Sequence, residues 1–236
     1  MKLCLFDSEP GASSLWREIA AMNNLQVDIH AKWRRSDELG STPQILVLDR
    51  SATPDFLGEI RQACLQRQLV VVATGRSLSI PDVVELMSEG VAHVFEKPHA
   101  RERLIEAMPG LVERAQKLEL SHQELLKLNK LFGSLTSRER DVLDCVLEGV
   151  SNRDAAGQLK VSVRTVESRR AKVYRKLQAK HLAEMVRLAD KLAALRDFFG
   201  CRTKTNAVHA PHLRMHQDSS TESVGAWSEP IPAESA

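Results

Sequence analysis

The chain reads as a doubly wound, five-stranded parallel α/β domain followed by a small all-α domain that carries a helix-turn-helix. Three observations point there. Short apolar runs alternate with helical patterns through the first half, strand patterning ceases after Thr136, and the charge changes sign between the halves. In 236 residues, 33 Lys+Arg oppose 31 Asp+Glu, a formal net charge of +2. Residues 1–120 hold 14 basic and 17 acidic side chains, whereas residues 136–200 hold 14 and 9. The length accommodates two domains of ordinary size.

Strands are expected over residues 2–6, 25–29, 45–48, 69–73 and 91–95. Apolar runs this short, separated by helical segments, belong in a parallel sheet covered on both faces. Helices are expected over 13–22, 55–66 and 82–89, with another from near Ala100. Thr53-Pro54 and Ile80-Pro81 supply helix-start chemistry, and Gly90 supplies a stop. The stretch 30–42 is polar and poorly periodic, so a helix there has the least support. Leu104, Leu111, Leu118, Leu125 and Phe132 then recur at intervals of seven, the spacing of a coiled-coil seam. The companion column, Met108, Ala115, His122 and Asn129, is only half apolar, and Pro109 interrupts the first turn. A linker helix able to pair in a dimer fits these residues better than a zipper. The expected boundaries are an α/β domain over 1–117, a helical linker over 118–134, a helical domain over 135–199 and a disordered tail over 200–236 rich in Ser, Thr, His and Pro.

Composition excludes several classes. Hydrophobic residues at 43% and charged residues at 27% rule out a wholly disordered, collagenous or coiled-coil chain. No apolar run approaches the roughly 20 residues of a membrane helix, and Asp7-Ser8-Glu9 cuts short the first one, so a cytoplasmic location is expected. Cys4, Cys64, Cys145 and Cys201 are scattered without zinc-ligand spacing and read as reduced, inert thiols.

The helical domain announces its helix starts. Thr136-Ser-Arg-Glu139 forms a capping box, Ser151-x-x-Asp154 places an acid in a first turn, and Ser162 precedes Val163-Arg164-Thr165 as an N-cap. Lys160-Val161 separates the second and third helices as a tight turn, with Val161 plugging the angle between them. At about 100° per residue, Val166, Val173 and Leu177 share one face of the third helix, while Arg164, Ser168, Ala171, Lys172 and Arg175 lie opposite. Residues 161–180 hold seven cations, Arg164, Arg169, Arg170, Lys172, Arg175, Lys176 and Lys180, against the single acid Glu167. Such a stripe neutralises phosphates, and its small residues permit close approach to base edges in a major groove. The plainer reading, a solvated charged face, does not account for the one-sidedness or the turn.

The stretch from Leu135 to Lys180 resembles the LuxR-type helix-turn-helix of transcriptional regulators. The matches are Leu135-Thr136, Arg138-Glu139, Val142-Leu143, Gly149, Asn152, Ala156, Leu159, Ser162, Thr165-Val166-Glu167 and Lys176-Leu177. Ala155 and Arg169 depart from it, standing for a larger aliphatic and a histidine. The resemblance implies DNA contact by Arg164, Thr165, Ser168, Arg169, Arg170, Lys172, Arg175 and Lys176. It also implies a fourth helix whose Leu182, Val186 and Ala189 serve as interface or as core. A sigma factor carries a similar helix-turn-helix, but would need helical regions upstream, where this chain has a strand pattern.

Ligand sites of open α/β sheets gather at the strand ends. Asp7 and Glu9 follow the first strand, Asp49 the third, Thr74 the fourth and Lys97-Pro98 the fifth. Together they offer a carboxylate to accept phosphate, acids for a hard cation, a hydroxyl and an ammonium. With Phe6-Asp7-Ser8-Glu9, Ile45 to Asp49, Val72 to Gly75, Gly90-Val-Ala and Phe95-Glu-Lys97-Pro98, residues 1–117 resemble a response-regulator receiver, which has a flavodoxin-like fold. By that resemblance Asp49 is the phosphoacceptor, Lys97 and Thr74 bind the phosphate, and Asp7 and Asp49 hold Mg²⁺. Ser8 stands where a second acid is usual, removing one direct ligand for the metal. Val94 stands at the position of the aromatic switch. Two readings stay open: a receiver phosphorylated at Asp49, and a pseudo-receiver in which Asp49 and Lys97 form a salt bridge and the domain dimerises or binds a partner. The whole resembles a response regulator of the LuxR/FixJ type. The partners implied are double-stranded DNA, a sensor histidine kinase, RNA polymerase and a second copy of the chain. An enzyme is not expected, since Gly11, Gly40, Gly58 and Gly75 form no phosphate-cradling loop.

Overall fold

A computed structural model describes residues 1–9, 11–31, 45–53, 55–65, 69–99 and 101–200. The expected disordered tail, apart from Gly200, and most of the polar 30–42 stretch lie outside the described residues. In the first half, β1 (Lys2–Phe6), α1 (Ala12–Met22), β2 (Gln26–His30), β3 (Ile45–Asp49), α2 (Phe56–Leu65), β4 (Val70–Gly75), α3 (Ile80–Ser88) and β5 (His93–Glu96) alternate. The sheet order is β2-β1-β3-β4-β5, and every neighbouring pair is parallel.

Strand side chains alternate between faces, so each central strand feeds two cores. Leu3, Leu5, Ile45, Val47, Val70 and Val72 pack with Trp16, Ile19 and Ala20 of α1 on one face. Cys4, Phe6, Leu46, Leu48, Val71 and Ala73 pack with Phe56, Ile60 and Ala63 of α2 and Leu86 of α3 on the other. That division explains why residues 3–6, 45–48 and 70–73 include no charged or amide side chain.

Element ends shift for identifiable reasons. Helix α3 begins at Ile80 because Ser79 caps it, accepting from the Asp82 N–H while the Asp82 carboxylate accepts from the Ser79 N–H. Gly90 stops the chain after α3 with φ 102°, and a Cβ there would meet Cys64. Val91 is consequently buried in the turn rather than paired in β5.

The next helix, α4, runs unbroken from Arg101 to Gly133. Pro109 does not interrupt it. The residue is exposed, as is Gly110, so its ring lies on the solvent side of the helix, while Leu104, Met108, Leu111 and Ala115 anchor both flanks to the sheet core. The seven-spaced leucines are used within the chain. Leu104, Leu111 and Leu118 pack on the α/β core, whereas Leu125 and Leu128 pack on Leu192 and Phe199 of α8 (Leu182–Phe198) and its C-cap. Between them come α5 (Ser137–Leu147), α6 (Asn152–Gln158) and α7 (Val163–Leu177), which close a second core around Val142, Val146, Ala156, Val166, Val173, Leu177 and Met185. Leu131 and Phe132 of α4 touch both that core and the α4–α8 seam.

Leu128 is 1% exposed in the seam, and Leu126 is 56% exposed two positions earlier. In urea unfolding, Leu128→Ala is expected to cost about 2–5 kcal/mol, and Leu126→Ala to stay within about 0.5 kcal/mol of the parent.

Candidate functional site

Strands β1, β3, β4 and β5 end on one side of the sheet, and their terminal residues converge there. Asp7, Asp49, Thr74 and Lys97 are all buried. Lys97 Nζ lies 2.7 Å from Asp7 Oδ1 and 2.8 Å from Asp49 Oδ2. Thr74 Oγ1 donates to Asp49 Oδ2 at 2.9 Å, and the Ser51 N–H donates to Asp49 Oδ1 at 2.9 Å. The Ser51 hydroxyl donates to that same oxygen. Burial pushes the Asp49 carboxyl up, but hydrogen bonds from Lys97, Ser51 and Thr74 outweigh it and hold the group below the usual carboxylate range. Burial likewise disfavours the Lys97 charge, and the bonds to Asp49 and Asp7 overcome it.

Asp7 Oδ1 also accepts from the Glu9 N–H at 2.8 Å, while Asp7 Oδ2 is buried without a partner. Among the described residues, no group of three or more His, Cys, Asp or Glu side chains is arranged to hold a metal. The unpartnered Asp7 oxygen together with Asp49 does fit Mg²⁺, which is commonly bound by one or two carboxylates with water completing its shell. Ser8 is exposed, and its hydroxyl is 3.0 Å from that of Ser51, the hydroxyl that donates to Asp49 Oδ1. Glu9 stands at the rim, where Arg76 Nε and Nη2 donate to its two oxygens at 2.9 and 3.2 Å. The sequence-predicted residues thus divide into a buried quartet and a rim. Ser51 and Arg76, which sequence reasoning did not single out, follow Asp49 and Thr74 by two positions, and that offset is the only signal they offer.

In the helical domain, Ser162 caps α7 by accepting from the Thr165 N–H at 3.1 Å, and Thr165 is half-buried with its hydroxyl 2.8 Å from that of Ser162. Val161 packs into the core at the α6–α7 turn, where Lys160 adopts φ 52°. Arg164, Ser168, Ala171, Lys172 and Arg175 form an exposed face opposite Val166, Val173 and Leu177, with Arg169 half-buried at its margin. Two cations have other engagements. Arg170 donates to Asn152 Oδ1 at 2.9 Å, joining α7 to α6, and its guanidinium lies 5.8 Å from the Tyr174 ring centre. Lys176, grouped by sequence with the DNA-contacting residues, is set apart from the exposed face. It donates to Glu139 Oε2 at 2.7 Å and to the Ser134 carbonyl at 2.9 Å, tying the last turn of α7 to the start of α5. Lys176 and the Thr136 cap hold the Glu139 carboxyl down at about 2.

Residues 133–189 match the family described as bacterial regulatory proteins, luxR family. The tetrathionate response regulatory protein TtrR of Salmonella typhimurium is 31% identical over 148 residues, covering 63% of this chain and 68% of the relative. The chain belongs to the luxR-family response regulators. The transcriptional regulatory protein FixJ of Azorhizobium caulinodans is 36% identical over 120 residues, covering 51% of this regulator and 56% of FixJ. FixJ of Bradyrhizobium diazoefficiens is 33% identical over 54% of this chain and 62% of its own. This response regulator therefore spans less than two thirds of the length of the FixJ relatives it matches. In fold it resembles the response regulator StyR, with a TM-score of 0.65 at 23% identity, over 80% of this chain and 98% of StyR.

Two outcomes follow from the charges. Lys97→Met leaves Asp7 and Asp49 buried without their cation and is expected to cost about 3–5 kcal/mol in denaturant unfolding. Because Glu139 titrates near 2 in the folded chain against an ordinary value of 4.5, its stabilisation is complete above about pH 4.5 and fades as pH falls toward 2. Thermal unfolding of Glu139→Gln should accordingly lie below the parent at pH 7 and converge with it near pH 2.

Proposed function

We propose that this response regulator binds double-stranded DNA through the exposed face of α7 and controls transcription, with Asp49 accepting a phosphoryl group from a sensor histidine kinase. The observation that carries the reading is the meeting of Asp49, Thr74, Lys97 and Asp7 at one buried strand-end pocket, joined by a single helix to a domain with a one-sided cationic face. An Asp49 oxygen attacks the donor's phosphorus as the bond to the leaving group breaks, giving an acyl phosphate. The Thr74 hydroxyl and the Lys97 ammonium, both already on Asp49, then bind the phosphoryl oxygens. Asp7 and Asp49 would hold Mg²⁺, which when bound neutralises charge on the transferring group.

Lys97 must loosen its hold on the Asp49 carboxylate when the phosphoryl group arrives. Val94 cannot report this by an aromatic rotation, so the signal passes through backbone and helix seats. Helix α4 rests on the sheet at Leu104 and Met108 and on α8 at Leu125 and Leu128, which makes it the element able to bias the helical domain between sequestered and DNA-competent arrangements. On DNA, Arg164, Lys172 and Arg175 grip phosphates while Ser168 and Ala171 allow close approach to base edges. Thr165, Arg169 and Arg170 flank that surface, and Lys176 orients α7 from behind. Two copies reading paired half-sites follow the usual geometry of helix-turn-helix proteins, with RNA polymerase as the downstream partner.

The second reading is a phosphorylation-independent regulator. It is favoured by Ser8 at the acid position and by Lys97 already neutralising two buried carboxylates. Acetyl phosphate with Mg²⁺, followed by intact mass, separates the two. A phosphoryl adduct that disappears in Asp49→Asn is expected, and an unmodified parent chain would instead establish the second reading. In band-shift titrations with promoter DNA, Arg164→Ala combined with Lys172→Ala should weaken binding and lower the salt slope by about two. Unchanged affinity would remove α7 from the interface.

A further inference from the structure

The rim of the strand-end pocket holds a cation that the phosphoacceptor reading leaves unused. Arg76 lies just beyond β4, two residues after Thr74, and its side chain is 64% exposed. It clamps Glu9 through Nε at 2.9 Å and Nη2 at 3.2 Å. Glu9 is in turn 3.7 Å from Lys97 Nζ, so the pair borders the buried cluster. The Arg76 charge is influenced by Asp49 and Asp7 as well as by Glu9, which places the guanidinium within electrostatic reach of the acceptor carboxylate.

We propose that Arg76 is a phosphoryl-binding residue held in reserve by Glu9, exchanging the Glu9 carboxylate for phosphoryl oxygens when Asp49 is modified. This rests on the reading of Asp49 as the phosphoacceptor. Pocket and rim together carry three carboxylates, Asp7, Glu9 and Asp49, against two cations, Lys97 and Arg76, leaving one negative charge. A phosphoryl group takes Asp49 from one negative charge to about two, and this balance from one negative charge to about two, so with Mg²⁺ on Asp7 and Asp49 the site would reach neutrality only when Arg76 is counted together with Lys97. Ser8, at the position of a missing acid, brings no ligand that would tighten the hold on a metal. An arginine meets that need for positive charge well, because its planar fork binds two phosphoryl oxygens at once and it is more weakly hydrated than an ammonium. Its present partner is a carboxylate of the same bidentate geometry, half-exposed and easily released to water. The exchange breaks one ion pair at the rim and forms another of higher charge at the acceptor, and Glu9 is returned to solvent.

Calorimetric titration of the full chain with beryllofluoride, at saturating Mg²⁺, tests the exchange with a mimic of the phosphoryl group. Arg76→Ala is expected to weaken binding by about tenfold, the effect of removing one charge-assisted hydrogen-bonding partner. Glu9→Gln, which frees the guanidinium, should tighten it. Arg76→Lys keeps the charge but lacks the fork, and should fall between the parent and Arg76→Ala. Thermal midpoints without beryllofluoride establish that each variant is folded, and if Arg76→Ala is not, the lysine and Glu9 variants decide. Arg76→Lys equal to the parent, or Glu9→Gln weakening binding as Arg76→Ala does, overturns the exchange, since the first means the fork is not engaged and the second means the pair only fastens the rim. The acetyl phosphate assay on the parent chain runs beside the titration. If the parent neither binds beryllofluoride nor takes a phosphoryl adduct, the phosphoacceptor reading falls and the exchange falls with it. If the parent does both and Arg76→Ala binds as well as the parent, only the exchange is refuted.

Discussion

The ammonium of Lys97, 2.7 Å from Asp7 and 2.8 Å from Asp49, lies where three strands of the sheet end, and the arrangement of the α/β half follows from it. Each central strand sends its side chains to two apolar cores, so no polar cluster forms along those strands themselves. Only at their last hydrogen-bonded residues do β1, β3 and β5 offer polar side chains that face one another, with the Asp7 N–H still donating to the His30 carbonyl and the Lys97 N–H to the Gly75 carbonyl. There the carboxylates repel unless a cation joins them, and Lys97, following the outermost strand, joins the first and the third. The cluster therefore fastens the strand ends to one another. Each member is buried, and each is tolerable only because the others are present.

Helix α4 belongs to two cores at once. Its first half completes the face of the sheet formed by Leu3, Leu5, Val47 and Val72, and its second half completes the seam with α8. From there Leu131 and Phe132 reach the helix-turn-helix core, and the Lys176 bond to the Ser134 carbonyl reaches α7 itself. The seam is also fastened at its surface, by Lys191 to Glu124 at 2.9 Å and by Arg196, which donates to Asn129 Oδ1 at 3.1 and 2.7 Å.

Much of this is legible in the order of residues. The five apolar runs mark the sheet because buried parallel strands tolerate little else. The capping residues Thr136, Ser151 and Ser162 mark helix starts because an orphaned N–H needs an acceptor at a fixed offset. Where pattern and structure part, a longer-range interaction decides. Pro109 resembles a break, yet Leu104 and Leu111 seat the helix on both sides of it. The seven-residue leucine column resembles an intermolecular seam, yet three of its members face the sheet and the fourth faces α8. Lys176 resembles part of the DNA stripe, yet its chain turns to Glu139, an acid 37 positions earlier whose partner no local pattern could reveal.

The sequence by itself determined the two-domain order, the parallel sheet, the capped helix-turn-helix and the set of polar residues at the strand ends, because periodicity, capping and charge are local properties written in consecutive residues. Only the tertiary structure decided which of those polar residues meet. It put Asp7, Asp49, Thr74 and Lys97 together in a buried cluster, left Ser8 outside and set Glu9 against Arg76, because these pairings are fixed by strand register and helix seating across separations of tens of residues. It also sorted the cations of α7 into an exposed face and two internal ties, a distinction that depends on which neighbour each long side chain can reach.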